Sequence, residues 1–75
     1  MTEAQKIQKF AEIMMKFQED FKSVKLNKSG TVNGNSEYAI KRRHTPALAE
    51  VGYDMWPLHH LADKMRPQIE AAAKQ

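Results

Sequence analysis

Apolar residues near the N-terminus recur at a helical spacing. They alternate in steps of three and four: Ile7, Phe10, Met14, Phe17, Phe21 and Val24. This pattern is typical of a helix that packs against another helix. Thr2 is suited to cap its N-terminus, and Gln5 stands where the second partner of a capping box belongs. We therefore predict a helix over about residues 3–24.

A second stretch with the same spacing lies near the other end of the chain. Its apolar positions are Met55, Leu58, Ala62, Met65, Ile69 and Ala72. Asp54 is suited to cap this helix, and Pro57 is tolerated in a first helical turn because the N–H it lacks would have no partner there. We predict a helix over about residues 55–74.

A short helical turn is predicted just before this helix. Thr45 and Pro46 have the residue types of an N-cap and a first helical position, and Gly52 is suited to the position after a helix end. These residues predict a turn over 46–51. One long bent helix from Pro46 is the alternative, because the apolar spacing of the last helix extends back to Leu48.

The middle of the chain is polar and rich in residues that favour turns. Glycine, asparagine and serine are concentrated between positions 27 and 36. Asn33 and Gly34 form the preferred pair for a type I′ hairpin turn. We predict a basic loop or a short β-hairpin over 25–44. The expected fold is therefore mainly α, an amphipathic helical hairpin that forms one small domain over 1–75.

Length and composition bear on stability and location. A chain of 75 residues buries only a marginal core, and the absence of cysteine excludes disulfides and thiolate zinc sites. We therefore expect extra stability from a partner, with a homo-oligomer as the leading form. The polar N-terminus lacks the apolar segment of a signal peptide, and no stretch reaches the roughly 20 apolar residues of a membrane span. These features predict a cytoplasmic protein without a membrane partner.

Residue patterns that carry catalysis are missing from the sequence. It contains no cysteine nucleophile, no glycine-rich phosphate loop and no nucleophile elbow. The three histidines, His44, His59 and His60, match no recognised zinc spacing. We predict that the protein is not an enzyme, with no catalytic residues, no cofactor and no metal.

Positive charge is concentrated in the middle of the chain. The net charge is only +3, but six lysines and arginines lie between Lys22 and His44 against one acid, Glu37. Arginine side chains suit phosphate groups, and a tyrosine can stack on a base. The predicted nucleic-acid contacts are Lys25, Lys28, Tyr38, Lys41, Arg42 and Arg43. A solvated loop and a contact with an acidic protein are the alternatives.

Apolar side chains give a second set of candidate contacts. A layer of two helices leaves one apolar side open, and an open apolar surface indicates self-association or partner binding. The predicted interface residues are Met14, Phe17, Phe21, Tyr53 and Trp56, although Trp56 is favoured as a core residue. This set supports an alternative function, a module that inhibits a host or defence protein. An oligomer that captures small nucleotides is a further alternative.

Four stretches follow one another in an order known from phage proteins. They are the end of the first helix (15–21), the basic segment (24–34), an aromatic entry to the last helix (53–58) and the Arg-Pro motif (65–69). Over about residues 10–70 they resemble the N-terminal region of Erf-type (essential recombination function) single-strand annealing proteins, with Trp56-Pro57 replacing that family's Tyr-Ala. That family binds single-stranded DNA as rings. The resemblance implies a phage or prophage accessory protein that oligomerises and binds single-stranded DNA in recombination.

Overall fold

Helices dominate the computed structural model, which describes residues 1–74. Within this range α1 spans Glu3–Phe21, α2 spans Gly34–Glu50 and α3 spans Trp56–Ala73. The prediction of a mainly α fold is confirmed. Gln75, the last residue of the predicted domain, lies outside the described residues.

The start of α1 is the predicted capping box. The Thr2 backbone N–H donates to Gln5 Oε1 at 2.8 Å, and the Gln5 N–H donates to Thr2 Oγ1 at 3.1 Å. The helix ends at Phe21, short of the predicted residue 24, because the chain turns there and the Val24 N–H donates to the Phe21 carbonyl. Val24 still reaches the core from this turn.

The predicted basic loop or β-hairpin over 25–44 is wrong for most of its length. Leu26 and Val32 form one isolated antiparallel bridge, and α2 begins directly after it. A type I′ turn requires positive φ at both central residues, whereas the φ of Asn33 is −72°. Asn33 instead caps α2, because its Oδ1 accepts from the Ser36 N–H at 3.0 Å.

The separate helical turn predicted over 46–51 is also replaced by α2. Thr45 and Pro46 lie inside this helix and do not start a new one. The Thr45 hydroxyl donates to the Lys41 carbonyl at 2.8 Å. Pro46 has no N–H to offer the Arg42 carbonyl, and α2 accommodates this loss on its exposed side.

The end of α2 separates it from α3. Gly52 has a φ of 86° and donates its N–H to the Ala49 carbonyl at 3.1 Å, while the Tyr53 N–H donates to the Leu48 carbonyl at 3.0 Å. This pair of bonds is a Schellman motif, in which glycine avoids the steric cost of a left-handed backbone. The predicted role of Gly52 is confirmed, and the alternative of one long bent helix is wrong.

Asp54, which was predicted to hold the N-cap position, accepts a hydrogen bond at the start of α3 from one residue before that position. Met55 holds the N-cap position, and Asp54 Oδ1 accepts from the Trp56 N–H at 2.9 Å. Pro57 occupies the first turn, where it costs no helical hydrogen bond. None of the helices built by residues 1–74 combines the length and hydropathy that a membrane span requires.

All three helices contribute to one core. Its buried apolar residues are Ile13, Phe17, Phe21, Val24, Ile40, Leu48, Val51, Leu58, Ala62 and Met65. Phe17 and Phe21 are fully buried, and Met14 packs partly buried against the same cluster. The prediction that Phe17 and Phe21 form a partner interface is therefore wrong. Packing by all three helices covers the apolar face that a two-helix layer would leave open.

Candidate nucleic-acid interface

The basic run from Lys41 to His44 lies within α2, so successive side chains point in different directions. Lys41 is buried, with 5% of its surface exposed. Arg42 and Arg43 are exposed, and His44 is half-buried. What is one charge cluster in the sequence is therefore divided among separate environments in the fold.

Lys41 belongs to a buried ion cluster between α2 and α3. Its Nζ lies 2.7 Å from Glu37 Oε2 and 2.8 Å from His59 Nδ1, which accepts because an ammonium can only donate. Arg66 donates from Nε to Glu37 Oε1 at 2.9 Å and from Nη2 to Oε2 at 2.8 Å. The prediction that Lys41 contacts nucleic acid conflicts with this burial, because its charge is already used inside the fold.

The protonation of Glu37 follows from this cluster. Burial acts to raise the pKa of its carboxyl, but the hydrogen bonds from Arg66 and Lys41 together outweigh burial, so the pKa lies below its ordinary value. The bond to Glu37 in turn raises the pKa of Arg66. Because Glu37 is the one acid between Lys22 and His44, its burial removes the carboxylate from the surface of this segment.

A second ion cluster joins α1 to α2. Arg43 Nη1 donates to the Asp20 carboxylate at 3.1 and 3.3 Å, and His44 Nε2 lies 3.0 Å from Asp20 Oδ2. The hydrogen bond with His44 is the main cause that holds the pKa of Asp20 below its ordinary value; Arg43 adds to it and burial opposes it. Arg43 thus remains exposed, but its charge is partly balanced by Asp20.

The exposed side of α2 carries few negative charges that would repel a polyanion. We define the outer α2 face by six exposed residues: Asn35, Tyr38, Ala39, Arg42, Pro46 and Ala49. The guanidinium carbon of Arg42 lies 5.9 Å from the centroid of the Tyr38 ring. Within residues 1–74 no carboxylate forms an ion pair with Arg42, so its charge is available to a ligand.

Two depressions border the outer α2 face. The polar pocket, of about 380 Å³, includes Ser23, Lys25, Asn35, Ser36 and Arg43 in its lining. The aromatic groove, of about 270 Å³, is lined by Tyr38, Arg42, Thr45, Pro46, Ala49 and Met55. Neither lining contains a carboxylate. Both depressions are therefore compatible with an anionic ligand.

The loop before α2 is fixed to the start of this helix. The Lys25 N–H donates to Ser36 Oγ at 3.0 Å, which holds Lys25 beside the polar pocket. Lys28 is exposed in the adjacent turn and lines neither depression. The structure thus brings Lys25 together with Arg43, and Tyr38 together with Arg42.

Some lining residues were not predicted from the sequence. Ser36, Thr45, Pro46 and Ala49 join the candidate interface because α2 places them beside the cationic and aromatic positions. The helical spacing of Tyr38, Arg42, Thr45 and Ala49 is the signal that identifies them once a helix is assumed.

Tyr53 lies in the loop before α3 and Trp56 is the first residue of that helix, and both are exposed. Trp56 is 62% exposed, so the favoured assignment of Trp56 to the core is wrong. The Trp56 and His60 rings instead meet edge-on, with their centroids 4.8 Å apart. The Tyr53 ring packs on the Phe10 ring, with their centroids 4.5 Å apart. No group of three or more potential metal-ligating side chains is assembled in the part of the chain that the structure describes.

Comparisons of this chain with known protein families, with curated proteins and with solved structures found no match. The resemblance to the Erf-type region therefore stays a prediction from the sequence. Function is therefore inferred from the geometry of the outer α2 face and its two depressions.

Proposed function

We propose that this protein binds nucleic acid through the outer α2 face, the polar pocket and the loop that precedes α2. One observation carries the proposal: Arg42 and Arg43 are exposed on α2 and Lys25 is exposed in the loop before it, while the acid of the same segment, Glu37, is buried and paired with two cations. Apart from Asp20, which pairs with Arg43, no carboxylate in residues 1–74 forms an ion pair with these three cations, so the surface attracts a polyanion. The phosphate backbone of a nucleic acid is such a ligand.

Each cation has a distinct role in this proposal. Lys25 and Arg43 hold a phosphate at the polar pocket, where the Ser36 hydroxyl and the Asn35 amide supply neutral polar groups. Arg42 contacts a neighbouring phosphate from the outer α2 face. Lys28 adds long-range attraction from the adjacent turn. Lys41 makes no contact, because it is required by the buried cluster.

Single-stranded DNA is the proposed form of the ligand. Tyr38 is 53% exposed beside Arg42, which is an arrangement on which an unpaired base can stack. The resemblance of the sequence to Erf-type proteins points in the same direction and implies an accessory role in phage or prophage recombination. The tyrosine gives the physical reason, and the resemblance supplies the biological setting.

Fluorescence anisotropy with a labelled single-stranded oligonucleotide tests this proposal. Wild-type protein is expected to bind at low salt and to weaken steeply as salt rises. Lys25→Ala and Arg42→Ala should each lower the log–log salt slope by about 1, because each removes about one phosphate contact. Lys64→Ala is the matched control, since Lys64 is exposed on α3 away from the interface. Absence of binding at low salt would refute the proposal.

A second candidate function is association with another protein through the Tyr53–Trp56 corner. The large exposed fraction of Trp56 favours it, because tryptophan is enriched at the centres of protein interfaces. The two functions separate in one comparison. Indifference to oligonucleotide, together with a sedimentation mass that rises with concentration and falls in Trp56→Ser, would favour the protein partner.

A further inference from the structure

We propose that the aromatic groove binds one unpaired base of a single-stranded nucleic acid. This inference rests on the proposed function and adds the part of the ligand that the cations do not explain. Phosphate contacts position a nucleic acid but do not distinguish single strands from duplexes. The groove supplies that distinction, because its side chains suit the flat face and polar edge of a base.

The stacking surface is the Tyr38 ring. Tyr38 and Arg42 are one helical turn apart, and the guanidinium carbon stands 5.9 Å from the ring centroid. This cation–π arrangement keeps the tyrosine beside a positive charge while half of its surface stays exposed. A base that stacks on the exposed ring therefore places its attached phosphate near Arg42.

The size and walls of the groove suit a single planar ring system. Its volume of about 270 Å³ lies just below the roughly 300–1,000 Å³ of pockets that enclose drug-sized ligands. Pro46, Ala49 and Met55 provide apolar walls, and the small side chain of Ala49 leaves the space open. The groove is thus large enough for one base.

Two residues that line the groove carry acceptors suited to the edge of a base. Because Pro46 has no N–H, the Arg42 carbonyl lacks the donor that an i+4 residue normally supplies. Thr45 donates its hydroxyl hydrogen to the Lys41 carbonyl, so its Oγ1 lone pairs can accept. Exocyclic amino groups and ring N–H groups are complementary donors. In a duplex these groups are paired and the base faces are stacked, so the groove selects single strands.

The polar pocket lies on the other side of the outer α2 face from the groove, where it can hold the sugar-phosphate backbone next to the bound base. Ala39 lines that pocket, while the preceding residue, Tyr38, lines the groove. A strand that crosses α2 can therefore put one base in the groove and a phosphate between Lys25 and Arg43. This path uses both depressions and leaves the buried cluster of Lys41 untouched.

Anisotropy with three ligands of equal length tests the groove: a single strand, its duplex and an abasic single strand. Wild-type protein should bind the normal single strand about tenfold more tightly than the abasic strand, since base–aromatic stacking contributes at about this level. Tyr38→Ala and Ala49→Trp should abolish that difference, the first by removing the ring and the second by filling the groove. Binding to the abasic strand should stay unchanged in both variants.

Two control variants guard against effects on folding. Tyr38→Phe keeps the ring and should retain the preference for the normal strand. Ala11→Trp adds the same bulk as Ala49→Trp at an exposed position of α1 and should bind like the wild type. Circular dichroism melting of each variant identifies any that fails to fold, and if either Tyr38→Ala or Ala49→Trp does so, the other carries the test.

The outcomes separate the groove from the wider proposal. Equal, salt-dependent binding of all three ligands would overturn the base site and leave the phosphate interface standing. Absence of binding to every ligand at low salt would overturn both. A preference for the normal strand that survives in Tyr38→Ala and Ala49→Trp would also overturn the groove as its source.

Discussion

Lys41 and Arg42 are neighbours in the chain but lie on different faces of α2, one buried and one exposed. Lys41 faces inward, where Glu37 and His59 surround its ammonium at 2.7 and 2.8 Å. Arg42 faces outward beside the Tyr38 ring and has no carboxylate partner among residues 1–74. The comparison shows that the inner cation serves the fold and the outer cation is available for binding. Helical phase, and not sequence position, assigns the two tasks.

The inner face of α2, formed by Glu37 and Lys41, stabilises the fold only while all of its ion pairs are intact. Glu37 accepts bonds from Lys41 and Arg66, and no buried side-chain polar atom in residues 1–74 lacks a hydrogen-bond partner. Removing one member of such a set leaves a buried charge without compensation, which costs more than the intact pair contributes. The outer face carries no such constraint, so substitutions there should change binding more than folding.

The largest expected effect is the loss of Glu37 from the inner face. Glu37→Gln should lower the free energy of unfolding by about 3 kcal/mol, because Lys41 keeps its charge in a buried site and loses its carboxylate partner. Urea unfolding followed by circular dichroism measures this loss. Glu12→Gln is the matched control, since Glu12 is exposed on α1. Equal stabilities of the two variants would contradict the division between the faces.

Acidification should act on the same inner cluster. The folded-state pKa of Glu37 lies below its ordinary value of 4.5, so its contribution is complete above that pH and is lost as the pH falls towards the folded value. Asp20 adds a loss that begins near its own ordinary value of 3.8. Urea unfolding between pH 7 and pH 3 should show falling stability in the wild type and a smaller fall in Glu37→Gln. Identical pH profiles would contradict this account.

The helices were predictable where apolar spacing alone specifies them. α1 and α3 follow this rule, because their core residues are apolar at regular steps. α2 does not, since Glu37 and Lys41 occupy core-facing positions on either side of Ile40 and break the apolar pattern. Their charges become compatible with burial only when Arg66 arrives from α3. The i,i+4 order of Glu37 and Lys41 was a helix signal in the sequence that the hairpin prediction passed over.

The residues of the candidate site were easier to predict from the sequence than whether each of them is exposed or buried. Tyr38 and Arg42 were predicted and are exposed, whereas Lys41 was predicted from the same run and is buried. Phe17 was assigned to an interface and is buried, whereas Trp56, named with the same interface but favoured as a core residue, is exposed. Exposure depends on where α2 packs, and that helix was absent from the sequence prediction.

The smallest expected effect is the difference in unfolding free energy between Arg43→Ala and Arg42→Ala. Arg43→Ala should cost up to about 1 kcal/mol of unfolding free energy, because it removes an exposed ion pair with Asp20. Arg42→Ala should stay within about 0.5 kcal/mol of the wild type, since no ion pair within residues 1–74 is lost. For oligonucleotide affinity the order should reverse, because Asp20 already balances part of the Arg43 charge. Urea unfolding and anisotropy on the same preparations measure both orders. If Arg43→Ala weakened binding more than Arg42→Ala, the polar pocket and not the outer α2 face would be the main contact.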